Sequence, residues 1–360
     1  MASSGEDPLR WHGDDELGAG PAGALIDLAV NVRRPAPPAW LAEVLAGTIG
    51  ELGAYPDAGP ARRALAARHQ VAVEQVLPTA GGAEAFTLVA RGAGVRRAAV
   101  VHPQFTEPEA ALRAAGVPVE RVLLPGPDFA LDADLVPADA DLVVVGNPTN
   151  PTGVLHRAAT LRALARPGRV LLVDEAFMDA VPTLVERARN ERVETTPTEP
   201  ESLIAPVMPG VLVARSLTKT WGLAGIRAGY AVGDPTLIDR LAAQQPHWSV
   251  STPALAAMVA TSSPEALAEA GREVASIAEQ RAHLVTRLRE AGLEIVGGRS
   301  APFVLARGPV GLRERLRAEG FAVRRCDTFP GLDERYLRLA VREPAVSDAL
   351  AAALGRALGH

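Results

Sequence analysis

The chain has 360 residues, 48% of them hydrophobic, and a formal net charge of −5 at pH 7. That length suits one large domain with a smaller appendage, and the acidic balance, without any run rich in Lys or Arg, argues against a general nucleic-acid binder and against a binder of anionic membranes. A single cysteine, Cys326, excludes an intrachain disulfide and a cysteine-built metal site, the seven histidines show no zinc-ligand spacing, and no apolar run approaches the roughly 20 residues that span a bilayer.

Residues 1–25 are polar and glycine-rich and are expected to form an arm. Its start, Met1-Ala-Ser-Ser-Gly-Glu-Asp7, has neither the basic end nor the apolar core of a signal peptide, so a cytoplasmic location is expected. From about residue 60 to 260, short β-rich runs alternate with helix-like segments, the pattern of an α/β layer fold. Helices are expected over 61–69 and, after a Gly-Gly turn, 83–90; strands over 98–101, 119–124, 142–145, 170–173, 211–214 and 229–232. Several of these strands are continuous apolar runs, which suits burial on both faces. Residues 186–209 are charged and carry three Thr and four Pro, so they read as an exposed excursion. A helix-rich stretch over 264–291 leads to alternating strand-like and helix-like segments over 292–358, a smaller α+β unit. The expected organisation is an arm (1–25), a large domain (26–262) and a small C-terminal domain (263–360).

Of the 37 Lys and Arg side chains, only Lys219 is a lysine. Arginine replaces lysine as a solvated charge, an ion-pair partner or a phosphate clamp, but its guanidinium stays protonated and cannot form a Schiff base with an aldehyde. Taken alone, the lone lysine also fits drift in an Ala/Arg/Gly/Pro-rich chain. Four local signals in chain order, each at an element end, argue for more. Thr79-Ala-Gly-Gly82-Ala83 opens a helix with glycines that let backbone N–H groups approach an anion, although an ordinary turn would look the same. Gly146-Asn-Pro-Thr-Asn150-Pro-Thr-Gly153 follows an apolar run and makes a rigid polar turn at the edge where open α/β sheets bind ligands. Asp174, ending another apolar run, can pair with a cationic ring nitrogen or simply cap the next helix. Ser216 and Arg227 flank Lys219 with a hydroxyl and a guanidinium suited to a phosphate dianion.

Together and in this order the motifs resemble the fold type I pyridoxal-phosphate enzymes, specifically the class I/II aminotransferase superfamily, over roughly residues 25 to 345. The resemblance implies a mainly parallel seven-stranded sheet with helices on both faces, plus a smaller α+β domain, and pyridoxal 5′-phosphate as cofactor. It implies catalytic roles for Lys219, as the Schiff-base lysine, and for Asp174, against the pyridine nitrogen. Asn150 would bond the ring hydroxyl, Phe105 would stack on the ring, and Gly82, Ala83, Ser216 and Arg227 would hold the phosphate. Tyr55 falls where relatives reach the cofactor phosphate from the partner subunit, which implies a homodimer. An acid beside the ring nitrogen, a stacking surface, an anion cradle and one transferable amine are what such a cofactor's chemistry demands.

Within the superfamily the chain looks closest to histidinol-phosphate aminotransferase and to threonine-phosphate decarboxylase of cobalamin synthesis. Trp11-His12-Gly13, the segment ending in Asn31, Gln245-Pro-His-Trp-Ser-Val250 and the arginines Arg324 and Arg338 resemble the decarboxylase, with His12, Gly13, Asn31, Asn150, Arg324 and Arg338 as implied substrate residues. Phe177, another implied cofactor neighbour, stands where the aminotransferases usually carry a tyrosine. Two departures stand out: Asp14 follows His-Gly in place of a second glycine, and Val-Arg-Arg-Pro follows Asn31. The expectation is therefore a decarboxylase-like enzyme acting on a small phosphorylated amino substrate. An aminotransferase of histidinol-phosphate or general amino-acid type is the alternative, and a non-catalytic pyridoxal-phosphate-binding regulator is a third reading.

Overall fold

A computed structural model describes residues 7–18, 25–33, 37–181, 184–189, 192–197 and 199–359. In chain order its strands are β1 Ile26–Leu28, β2 Val76–Ala80, β3 Ala98–His102, β4 Val119–Leu123, β5 Leu142–Gly146, β6 Val170–Asp174, β7 Leu184–Arg189, β8 Arg192–Pro197, β9 Val211–Ser216, β10 Ala228–Gly233, β11 Glu294–Val296, β12 Phe303–Arg307, β13 Phe321–Arg325 and β14 Tyr336–Ala340.

The continuous apolar runs become the middle of a seven-stranded sheet with the order β2-β10-β9-β6-β5-β3-β4. β9, β6, β5, β3 and β4 run parallel to one another, and β10 lies antiparallel between β9 and β2. Side chains alternate between two buried faces: Val143 and Val145 join one core with Leu65, Leu161 and Met258, while Leu142 and Val144 join the other with Phe86, Leu112 and Leu237. Burying each such aliphatic side chain contributes about 1.5–3 kcal/mol. The fold class expected from the resemblance is the one observed.

β2 was not among the expected strands. Pro78 interrupts its apolar run, and it lies at the sheet edge, the place a strand proline tolerates. At the opposite edge β4 is half exposed.

The smaller sheet has the order β1-β13-β14-β12-β11. The helices Pro264–Glu290, Leu312–Ala318 and Pro344–Leu358 supply its core, with Leu284, Leu288, Leu316, Leu350 and Leu354 packed on Val304, Val323 and Leu339. β1 pairs in parallel with β13, Ile26 opposite Phe321. Residues 26–28 therefore belong with the C-terminal sheet, not with the large sheet where the expected boundary put them.

The 186–209 excursion divides. β7 and β8 form a two-stranded hairpin of their own, but Ser202, Leu203 and Ile204 are buried. Glu175 draws the Ser202 hydroxyl and the Leu203 N–H inward, so residues 202–204 are core, whereas Ala205, Pro206 and Pro209 are exposed as expected.

Candidate active site

Because β2, β3, β5, β6 and β9 point the same way, their carboxyl ends share one edge of the sheet. Gly81, Phe105, the turn after β5, Asp174 and the residues after Ser216 all follow from those ends. Topology alone thus gathers the segments that carry the candidate groups.

Gly81, with φ of +77°, caps the eleven-residue helix Gly82–Gly92. A Cβ on Gly81 would sit 2.6 Å from a guanidinium nitrogen of Arg227, and a Cβ on Gly229 would sit 2.7–2.9 Å from the backbone of Gly81, Gly82 and Arg215. The missing side chains bring a helix N-terminus, an arginine and the end of β9 together. Helix N–H groups and a guanidinium so placed can cradle a dianion. Gln245 fastens its outer side, donating to Pro78 O at 2.9 Å and to Glu84 at 3.1 Å. Ser216, which accepts from Thr218 N at 3.3 Å, stands at the end of β9 beside it.

Lys219 lies in the short helix Thr218–Trp221, and its carbonyl accepts from Arg33 N at 3.0 Å. Its Nζ is 5.8 Å from the centroid of the Phe177 ring. Burial, with Arg338 and Arg227 nearby, pushes the amine down to about 8 against the pull of Asp174 and the more distant Asp14. At neutral pH a useful fraction is therefore uncharged and nucleophilic.

Asp174 is buried, and burial pushes its carboxyl up to about 6 although Ala176 N donates to Oδ1 at 3.1 Å and Lys219 is near. Its second oxygen accepts no hydrogen bond among the described residues. A buried carboxyl short of a partner suits a protonated ring nitrogen. Phe177 packs edge-on against Phe303 at 5.1 Å. Phe105 is half-buried between His12 and Phe86, at 5.3 and 6.4 Å.

Arg338 joins the two sheets. Its Nη1 donates to Asn150 Oδ1 at 2.6 Å, Nη2 donates to Ala29 O, and the guanidinium lies 5.5 Å over the Phe303 ring. The Asn31 amide, with its oxygen turned to the guanidinium, accepts from Nη1 and Nε at 3.2 and 3.0 Å. Every one of these partners is neutral, and no carboxylate pairs with Arg338 among the described residues. Burial and the neighbouring Arg324 push it down to about 9. Glu16 and Asp27 offset this only through space.

Arg324 faces Arg338 in the strand register but is otherwise committed. It donates to Trp11 O at 2.6 Å, to Thr328 Oγ1 at 2.8 Å and to Arg325 O at 2.7 Å, with Glu16 at 3.6 Å and the Phe329 ring at 4.9 Å. It anchors the arm. On the arm's other side Leu9 O accepts from Thr106, and His12 meets Glu107 at 2.7 Å. Gly13 sits where a Cβ would come within 2.5 Å of Ala29 O, the same carbonyl that Arg338 uses. The described part of the arm is thus docked between the Phe105–Glu107 turn and β13. Glu16, which sequence reasoning passed over, is its buried hub, bonded to Trp11, Arg313 and the Arg325 N–H.

Tyr55 is not gathered with the other candidates. It is 76% exposed and stacks on Trp248 at 4.2 Å. A cavity of about 530 Å³ opens on the other side of Lys219, between the helices Pro264–Glu290 and Pro344–Leu358; it shares Asn31 and Lys219 with the site but not Asp174, Ser216 or Arg227. No group of His, Cys, Asp and Glu among the described residues is arranged to hold a metal ion, and no described helix is long and apolar enough to cross a membrane.

A mainly parallel sheet whose carboxyl edge brings a lone lysine, a buried aspartate and an anion cradle together defines a pyridoxal-phosphate enzyme. The family model for aminotransferase class I and II matches residues 24–354, and the chain belongs to that family, whose cofactor is pyridoxal phosphate. It is 48% identical to a protein of Mycobacterium tuberculosis named histidinol-phosphate aminotransferase, over 95% of this chain and 90% of the relative. It is 31% identical to threonine-phosphate decarboxylase of Salmonella typhimurium, over 93% of this chain and 91% of the relative. Among solved structures, histidinol-phosphate aminotransferase from Sinorhizobium meliloti in complex with pyridoxal-5′-phosphate superposes with a TM-score of 0.78 at 21% identity, covering 92% of this chain and 90% of that one, a likeness of fold.

Proposed function

We propose that this enzyme is an aminotransferase whose amino donor is a phosphorylated amino alcohol of the histidinol-phosphate type. The observation that carries the reading is the commitment of the two arginines. Among the described residues no carboxylate bonds Arg338, on which Glu16 and Asp27 act only through space, whereas Arg324 is spent on the arm. One guanidinium whose bonded partners are all neutral suits a substrate with one anionic group. Threonine phosphate carries two, a phosphate and a carboxylate; histidinol phosphate carries its phosphate alone. The relatives favour the same side, at 48% identity against 31%. The decarboxylase expectation is displaced accordingly.

The chemistry follows from the residues. Bound in the cradle, pyridoxal phosphate would supply an electron-withdrawing ring that weakens the bonds at the amine-bearing carbon of the substrate. Gly82, Ala83, Ser216 and Arg227 would hold its phosphate, Asp174 would keep its ring nitrogen protonated, and Phe105 and Phe177 would bound the ring. Asn150 would serve the ring hydroxyl through its amide N–H, since its oxygen is taken by Arg338. The Lys219 amine, uncharged in useful amount near neutral pH, takes the proton from the substrate carbon as general base. A donor without a carboxylate leaves only the C–H bond at that carbon to break. Arg338 fixes the substrate phosphate and, in the return half of the reaction, the carboxylate of the keto acid that accepts the amino group. His12, Gly13 and Asn31 shape this end of the site by holding the arm and the Arg338 guanidinium in register.

We further infer a homodimer. Ile49, Leu52, Tyr55 and Trp248 are 64%, 54%, 76% and 58% exposed, and Tyr55 and Trp248 stack on each other, apolar and aromatic surface that is costly to leave in water. Tyr55, exposed beside Trp248, would reach a second copy's cradle.

Steady-state assays with histidinol phosphate, histidinol and threonine phosphate test the reading. Histidinol phosphate is expected to give the highest kcat/KM, and removal of its phosphate to cost about a hundredfold, the worth of a buried charge-assisted contact. Equal turnover with and without the phosphate would overturn it.

A further inference from the structure

Behind Asp174 and Lys219 lies a buried charge cluster that the proposed chemistry does not use. Arg215, directly before Ser216 on β9, is 2% exposed. Its Nε donates to Glu175 Oε2 at 3.1 Å, and its Nη1 donates to Asp179 Oδ1 at 2.7 Å and Glu199 Oε1 at 3.1 Å. Its Nη2 donates to Glu199 Oε2 and to Ser202 Oγ. Glu175 is fastened in turn by Ser202 Oγ at 2.7 Å and Leu203 N at 2.8 Å. Arg68 donates to Asp179 at 2.9 Å, and Tyr230, opposite Arg215 in the β9–β10 register, meets His69 at 2.8 Å.

The three carboxylates come from two places. Glu175 and Asp179 follow Asp174 on the segment leaving β6; Glu199 returns from the β7–β8 hairpin. One guanidinium therefore spans the base of that hairpin and at the same time fixes the end of β6, with Asp174, against the end of β9, which leads to Lys219. A planar fork with five donors holds such a set in one geometry, which a flexible ammonium cannot. The charges do not balance. Arg68 and Arg215 face three carboxylates; His69 is held neutral, well below its usual value, by burial and the two arginines, and Tyr230 is pushed up to about 12 by burial. Glu175 absorbs the excess: burial pushes its carboxyl up to about 7, with Glu199 adding to the rise against Arg215.

We propose that Arg215 is a positioning residue for Asp174 and Lys219, clamping both to the base of the β7–β8 hairpin through Glu175, Asp179 and Glu199. The proposal rests on the reading of Asp174 and Lys219 as cofactor residues.

Visible circular dichroism of the pyridoxal-phosphate-loaded enzyme, which reports the tilt of the bound ring, tests it across about pH 5.5 to 8.5. The wild type is expected to show an inflection near pH 7 as Glu175 takes up its proton. Glu199→Gln removes the excess charge and should move that inflection to lower pH. Arg215→Gln should lower kcat about tenfold or more, as misplaced groups do, with the KM of the amino donor changed less than about twofold. Arg215→Lys should restore only part of the loss. Should Arg215→Gln fail to fold, Glu199→Gln and Arg215→Lys carry the test. Wild-type dichroism in both at every pH would overturn the proposal. A Lys219→Ala enzyme that keeps the visible band would instead overturn the cofactor assignment beneath it.

Discussion

Arg338 donates to Asn150 Oδ1 at 2.6 Å, linking β14 of the smaller sheet to the turn after β5 of the larger one. One bond couples the group that would hold the substrate's anion to the group that would touch the cofactor's hydroxyl. Arg338→Met is expected to lower kcat/KM for a phosphorylated donor by about two to three orders of magnitude, the cost of losing a buried charged contact. The dephosphorylated donor should lose far less. Equal losses for both, measured side by side, would separate Arg338 from the phosphate.

Lys219 should control how fast the cofactor is captured. Its amine is pushed down to about 8, so the uncharged, attacking form grows as pH rises towards that value and is complete above it. The rate at which cofactor-free protein develops the visible band should rise about tenfold per pH unit below 8 and level off beyond. A rate still climbing steadily up to pH 10 would show an ordinary exposed lysine.

Asp174 carries a stability cost with a defined sign. Its carboxyl is pushed up from 3.8 to about 6, so between those values the folded protein binds the extra proton and stability falls as pH rises through the window. A shift of this size corresponds to roughly 3 kcal/mol above pH 6. Asp174→Asn in the cofactor-free protein is therefore expected to melt a few degrees higher than wild type at neutral pH, with the gap closing towards pH 4. The same substitution should abolish turnover. A variant melting lower than wild type at pH 7.5 would mean that the carboxylate is stabilising after all.

At Gly229 the cradle is closed by backbone: a Cβ there would sit 2.7–2.9 Å from three backbone atoms that cannot move aside singly. Gly229→Ala should widen the cradle and weaken cofactor binding about tenfold or more, the cost of overpacking a closed site. Equilibrium titration with pyridoxal phosphate reads this directly.

The parts of the molecule that were legible in the sequence are those governed by short-range chemistry. The strand from Leu142 to Gly146 reads as buried because each of its residues is apolar and both faces are covered. Lys219, Asp174 and the 146–153 turn were legible because a strand end announces itself locally. β2 was not, because Pro78 breaks its pattern, and β1 was not, because its partner β13 lies nearly 300 residues away. Arg324 and Arg338 look alike in sequence; what separates them is that Trp11 reaches one and not the other, a contact set by how the arm docks. The Arg215 cluster was invisible for the same reason: its carboxylates are scattered from residue 175 to 199 and only folding brings them to one guanidinium.

The most direct measurement is a single turnover of the pyridoxal-phosphate-loaded enzyme with histidinol phosphate and no keto acid, following both the cofactor spectrum and the products. The visible band should vanish as the cofactor passes to its amine form, with one equivalent of carbonyl product and no CO2; Lys219→Ala, which lacks that band from the start, should form no carbonyl product. Retention of the visible band with histidinol phosphate, together with stoichiometric CO2 from threonine phosphate, would contradict the aminotransferase reading and restore the decarboxylase.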